Sequence, residues 1–197
     1  GVKAELTATE RAGLHRYTFP ASESSHFVVD LAHAILAKEG AAPRVISAEM
    51  KVAGPDLILG GRRVANWAPG RHIYFAMKFS KPFARFTVVS DGQELAGGAR
   101  EASGKSLKAL VFYNTKAGEV VEVKVGLSAV SVEGALKNLE TEQPGWAFEK
   151  TAAAAQALWA KELSRATVEG GDDRKKEIFY TALYHTLLAP TLFDDVD

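Results

Sequence analysis

Asp172–Asp197, DDRKKEIFYTALYHTLLAPTLFDDVD, is the stretch around which the rest of the chain is read. Asp172 and Asp173 follow Gly170-Gly171 and can cap a helix, because a carboxylate accepts bonds from the first free backbone N–H groups. Ile178, Phe179, Ala182, Leu183 and Leu187 recur at three- and four-residue spacing, which puts them on one face. That face is expected to pack on Trp159 of the preceding helix or on the rest of the chain. Pro190 cannot continue the hydrogen-bond ladder and disfavours helical geometry at Ala189, so the helix is expected to end there. Beyond it come Leu192, Phe193, Asp194, Asp195 and Asp197 and little else. A helix and acidic loop with so little chain left to pack against are expected to open a second domain whose remainder is missing.

Upstream, the pattern changes period. Val2, Ala4, Leu6 and Ala8 alternate with polar residues, as in a strand with one buried face. Gly13 leads into Leu14–Phe19, and His26–Leu31 is a nearly continuous apolar run expected to be an inner strand. Arg44–Ala53, Leu57–Leu59, His72–Phe79, Phe83–Val89, Leu107–Tyr113 and Glu119–Val130 complete the set. Gly54-Pro55 and Gly60-Gly61 are read as turns around Leu57–Leu59, and Ser90-Asp91-Gly92 as a hairpin turn. Short strands about every ten residues, with turn signals between them, predict an antiparallel β-sandwich. After residue 130 the spacing becomes helical, through Ala135, Leu136 and Leu139. Pro144-Gly145 then resets the chain, and Trp146–Ala166 carries Phe148, Ala152, Ala155, Trp159 and Leu163 on one stripe.

Composition narrows the function. The 197 residues are 47% hydrophobic and 24% charged, with Lys plus Arg balancing Asp plus Glu at 24 each. Nothing in that balance favours nucleic acid or an acidic membrane. No cysteine is present, which removes disulfides, thiolate metal sites and cysteine nucleophiles. No stretch reaches the ~18 apolar residues of a membrane span. Neither a phosphate-binding glycine loop nor a Gly-x-Ser-x-Gly nucleophile motif occurs.

Few side chains suggest chemistry. His26 and Asp30 would share a strand face but stand about 13 Å apart at ~3.3 Å per residue, too far for one metal. His185, on the last helix beside Tyr184, reads as an interface residue or a substrate contact. Asp194, Asp195 and Asp197 are the only dense carboxylates, and three side chains cannot complete the shell of a hard cation such as Ca²⁺. Trp67, in VANWAPG (64–70), either packs on the sandwich or offers a flat ring to the C–H face of a sugar. Inverting glycoside hydrolysis needs two carboxyl groups ~6.5–9.5 Å apart, and no Asp or Glu pair in the chain looks held that way.

FYTALYHTLLAPTLFDDVD (179–197), RAGLHRYTFP (11–20), FVVDLAH (27–33) and SVEGALKNL (131–139), with Trp146 and Trp159, resemble in content and order glycoside hydrolase family 92, the calcium-dependent exo-acting α-mannosidases. The resemblance spans most of the chain. It implies a mainly β fold, an antiparallel sandwich of the galactose-mutarotase-like supersandwich type over 1–130. Linker helices over 131–171 would follow, then over 172–197 the first helix and loop of a truncated (α/α)6 catalytic domain. The whole enzyme would remove terminal α-linked mannose by inversion, with Ca²⁺ on the sugar. Both catalytic carboxylates and most calcium ligands would lie beyond Asp197, so the chain itself carries no catalytic or metal residue and binds no cofactor. Trp67, Asp195 and Asp197 are the expected substrate-binding residues, the last two because this loop would lie at the sugar-binding face. The implied partners are mannose-containing glycans and the missing helical domain, with self-association through the final helix or a loose Thr191–Asp197 if that domain is absent. A periplasmic or secreted location in a bacterium is also implied. The competing reading is a stand-alone carbohydrate-binding or interaction sandwich.

Overall fold

A computed structural model of the chain describes residues 1–34, 44–65, 68 and 70–196. The strands are β1 (Lys3–Ala8), β2 (Ala12–Phe19), β3 (Ser22–Asp30), β4 (Val45–Val52), β5 (Leu57–Val64), β6 (Arg71–Phe79), β7 (Arg85–Ser90), β8 (Gln93–Glu94), β9 (Glu101–Gly104), β10 (Leu107–Thr115) and β11 (Glu119–Ser128). Three helices follow: α1 (Val132–Glu142), α2 (Phe148–Leu163) and α3 (Asp173–Thr186). The strands form an antiparallel seven-stranded sheet, β1-β2-β11-β6-β5-β4-β9, and a four-stranded sheet, β3-β10-β7-β8. The fold is therefore the mainly β sandwich with trailing helices that the alternating pattern predicts.

The core lies between the sheets. Alternate residues of β10 (Leu107, Ala109, Val111 and Tyr113) meet Ile58, Phe79, Val121 and Val123 of the larger sheet. Phe27 joins the layers through edge-to-face contacts with Tyr17, Phe19, Phe79 and Tyr113, at ring separations of 5.0, 5.4, 5.4 and 5.8 Å. Asp91 and Gly92 make the tight turn between β7 and β8 with positive φ, as that dipeptide allows.

Four sequence expectations change. β1 alternates as expected, but its apolar residues lie on the exposed side, with Leu6 66% exposed, while Glu5 and Thr7 are half-buried. Gly60-Gly61 is not a turn: both residues sit inside β5, where a Cβ would lie 2.4 Å from the Glu49 carbonyl oxygen or 2.8 Å from the Tyr74 ring. The glycines are there for close cross-strand approach, not for reversal. The apolar run 26–31 is an edge strand, β3, with Val28 half exposed on its outer side. β8 and β9 have too few apolar positions to show periodicity.

On the outer face of the seven-stranded sheet, α1 packs against β11 and β6 with Ala135 and Leu139 fully buried. Ser131 caps it, its hydroxyl accepting from the Gly134 amide at 2.9 Å. The approach is close because β11 carries Gly126 beneath the helix, where a Cβ would stand 2.2 Å from the Ala135 carbonyl oxygen.

The next two helices are held far less. Phe148, with Arg16 stacked 4.2 Å from its ring centre, is the one buried residue of α2, and α3 has none. Trp159 meets Tyr184 at 4.7 Å, but Phe179 and Leu187 remain 37% and 39% exposed. The face predicted to bury Phe179, Leu183 and Leu187 is thus only partly covered within the chain. α3 also ends at Thr186, before the expected Ala189, with the Leu187 and Leu188 amides turned back to the Tyr184 and His185 carbonyls at 3.0 and 3.4 Å.

Candidate functional site

Four separated pieces of sequence converge at one end of the sandwich. They are the β1–β2 turn with Arg11, the start of β6 with Arg71, the β11–α1 junction with Ser128, and the tail Phe193–Val196. Each is placed by its element: Arg11 stands just before β2 because Thr9 and Ala12 close the turn, their backbone bond measuring 2.8 Å. Arg71 and Ser128 stand at the tips of paired strands. Gly134, Asn138 and Glu142 follow one another up one side of α1 at four-residue spacing.

Arg11 is the hub. Its Nε donates to the Asp194 carbonyl at 2.8 Å and its Nη2 to Asp194 Oδ1 at 3.3 Å. Nη1 donates to Glu142 Oε1 at 3.0 Å and Glu10 Oε2 at 3.2 Å, while the Arg11 backbone amide donates to Glu142 Oε2 at 2.9 Å. Burial by itself would raise the Glu142 carboxyl, but bonds from Thr9 and Arg11 outweigh it and hold the group below the usual carboxylate range. The same contact with Glu142 moves Arg11 further up, keeping it charged.

Asp195 points inward. Its Oδ2 accepts from the Ser128 hydroxyl at 2.7 Å and its Oδ1 from Asn138 Nδ2 at 2.8 Å. The Ser128 oxygen already accepts from the amides of Val130 and Ser131, so its proton is aimed at Asp195. Phe193 lies under Arg71, whose Cζ is 4.6 Å from the ring centre. Between tail and sheet is a cavity of about 350 Å³ bordered by Arg11, Arg71, Ile73, Leu127, Phe193 and Asp194. A larger groove, about 720 Å³, runs beneath α2 along Ala154, Ala155, Leu158 and Trp159. Its lining also includes Glu10, Glu142 and Lys150, of which Glu10 and Glu142 are already bonded to Arg11.

Of the predicted substrate residues, Trp67 and Asp197 lie outside the described residues; Asp195 is at this site, engaged with Ser128 and Asn138. The tail Thr191–Asp197, expected to be loose if a second domain is absent, contacts the sandwich and α1 through Phe193–Val196. His26 and Asp30 are structural: the imidazole leans on Phe112 at 5.6 Å, and Asp30 pairs with Lys108 at 3.1 Å while capping the turn at Ala32 and His33. His185 lies beside Tyr184 on the exposed α3, their ring centres 5.7 Å apart. Sequence reasoning passed over Arg11, Ser128 and Asn138. The signal was present in α1, which spends a glycine and an asparagine on its packed side, both poor choices for helix or core.

Among the described residues, no three His, Asp or Glu side chains gather as a metal-binding set. Asp194 and Asp195 are turned to Arg11, Ser128 and Asn138, so these residues do not fit a calcium shell. No described helix is long and apolar enough to cross a membrane.

Comparison with known proteins gives a consistent family. The profile of the Glycosyl hydrolase family 92 N-terminal domain matches residues 1–128, and that of the Glycosyl hydrolase family 92 catalytic domain matches 134–197. A family GH92 α-mannosidase from Bacteroides thetaiotaomicron is 36% identical over 100% of this chain, with a TM-score of 0.88. Its complex with mannoimidazole superposes with a TM-score of 0.89. A family GH92 inverting mannosidase from the same species is 26% identical, with a TM-score of 0.86. An uncharacterized secreted glycosidase from Arthroderma benhamiae is 26% identical over 96% of the chain. The chain spans about a quarter of each relative: 26% and 25% of the two mannosidases and 27% of the fungal protein.

Proposed function

The chain belongs to glycosyl hydrolase family 92, and on that premise we propose that it is the N-terminal part of a secreted or periplasmic α-mannosidase that removes terminal mannose from glycans. The observation that carries the proposal is the convergence just described. The end of the stretch that matches the family's catalytic domain is returned to the sandwich beside Arg71, the residue at which the loop carrying Trp67 in the sequence passes into β6. In this reading the sandwich supplies one wall of the sugar site through that loop and the acidic tail, and Trp67, Asp195 and Asp197 are its contributions. The likeness in sequence and fold to a mannosidase that binds mannoimidazole supports mannose as the sugar.

The reaction would be a single displacement with inversion, a reading supported by the likeness to the inverting mannosidase from Bacteroides thetaiotaomicron. Its acid and base, and any calcium, belong to residues after 197. The test compares this chain with the longer gene product on an aryl α-mannoside, with and without Ca²⁺. The expected result is turnover by the longer protein only, with β-mannose as the first product by NMR. Turnover that follows the purified 197-residue chain, and disappears on mutating one of its own Asp or Glu residues, would refute the placement of catalysis beyond residue 197.

A further inference from the structure

Asn138 is fully buried, yet it stands in the middle of a helix that faces a sheet. An amide there is costly unless every polar atom is paired, and this one is. Nδ2 donates to the Leu127 carbonyl at 2.7 Å and to Asp195 Oδ1 at 2.8 Å, and Oδ1 accepts from the Val196 amide at 2.9 Å. Two of these partners are 57 and 58 residues away, so the amide serves neither α1 nor a local cap. One turn earlier, α1 spends a glycine: a Cβ on residue 134 would lie 2.2 Å from Asp195 Oδ2. Two separate concessions in one short helix face the same carboxylate. Arg11 holds the neighbouring residue by its backbone carbonyl as well as its side chain, and so fixes the path of the loop, not only its charge.

We propose that Asn138 and Arg11 are positioning residues, which set where the Asp194–Val196 loop stands against the start of β6 and thereby define the sandwich wall of the glycan site. The inference rests on the reading that this loop borders that site. A latch serving only stability needs no such specification, since leucine and alanine at 138 and 134 would bury more apolar surface and favour the helix. What the asparagine and glycine achieve is a single place for a carboxylate and the backbone amide that follows it. Ser128 supports the same end, because its oxygen is saturated by two amides and its proton has one direction left.

The experiment has two arms. On this chain, amide hydrogen exchange at Val196, whose amide donates to Asn138 Oδ1, is measured for Asn138→Ala, Arg11→Ala and Asp195→Asn. Exchange should quicken by roughly tenfold or more in each, while β10 and β11 stay protected. Asp195→Asn lies on the tail, so it tests the latch even where Asn138→Ala does not fold. In the full-length enzyme that carries this chain, kcat/KM on an aryl α-mannoside should fall on the order of tenfold to a hundredfold for Asn138→Ala and Arg11→Ala, at a temperature where each remains folded. Arg11→Lys should recover part of that loss. Unchanged exchange in the tail overturns the latch. Faster exchange with kcat and KM unchanged in an active enzyme overturns the positioning role and leaves the functional reading standing. A wild-type full-length protein without mannosidase activity overturns the functional reading and the positioning role together.

Discussion

Gly134→Ala sets two physical effects against each other. Gly134 is the third residue of α1 and its amide is bonded to the capping Ser131. In a helix free of neighbours, the alanine would stabilise by up to about 1 kcal/mol, because glycine loses more backbone freedom on folding. Here the new Cβ would stand 2.2 Å from Asp195 Oδ2 and 2.8 Å from Ser128 Oγ, so the carboxylate must leave. It would forfeit its 2.7 Å bond from Ser128 and its 2.8 Å bond from Asn138. Hydrogen bonds to charged groups are worth about 1.5–3 kcal/mol each; a half-buried carboxylate belongs at the low end, so the pair contributes about 3 kcal/mol. Subtracting the helix gain leaves a net loss of about 2 kcal/mol, or ~4–8 °C in a domain of this size. The assay is urea unfolding of four proteins: wild type, Gly134→Ala, Asp195→Ala and the double variant. In the Asp195→Ala background the sign should reverse, since the propensity gain remains and little is left to expel. A Gly134→Ala chain as stable as wild type or more so would show that the tail is not seated on α1.

Other outcomes follow from the same geometry. Gly126→Ala should cost about 1–3 kcal/mol or more by urea midpoint, because its Cβ meets the Ala135 carbonyl at 2.2 Å and backbone cannot give way. Leu139→Ala, at a fully buried site, should cost about 2–5 kcal/mol in the same assay. Phe179→Ala should cost under about 1 kcal/mol in this chain, because the residue is 37% exposed; a loss near 3 kcal/mol would mean that α3 is covered in solution. The folded pKa of Glu142 is depressed, so the unfolded chain takes up that proton first. Its contribution with Arg11 is complete at neutral pH and is lost as pH falls from the ordinary glutamate value through the lowered one. Melting temperature followed over that acid range should therefore fall less steeply in Glu142→Gln than in wild type.

Much of the fold is written locally. Alternation identifies β4, because a half-buried strand must place every second side chain in the core; in β1 it marks the strand but not the buried face, since Leu6 is 66% exposed. Asp172 announces α3 because a capping oxygen acts within three residues. The aromatic helix FYTALYH (179–185) could be picked out as an uncommon string, and the family could be recognised from it with the segments 11–20, 27–33 and 131–139 in order.

What chain-local reasoning could not supply is everything that depends on distant segments meeting. The order β1-β2-β11-β6-β5-β4-β9 is one such property, since β11 lies beside β2 only after most of the chain has been laid down. Gly60-Gly61 resembles a turn until Glu49 and Tyr74 are known to press on it from neighbouring strands. Asp195 reads as a free acidic side chain until Ser128 and Asn138 are brought to it, and Arg11 reaches Asp194 across 183 residues. The sequence by itself therefore determined the elements, whose forces act within a few residues. The tertiary structure alone decided which carboxylates are tied down, because hydrogen bonds and steric exclusion act over a few ångströms in space, whatever the distance along the chain.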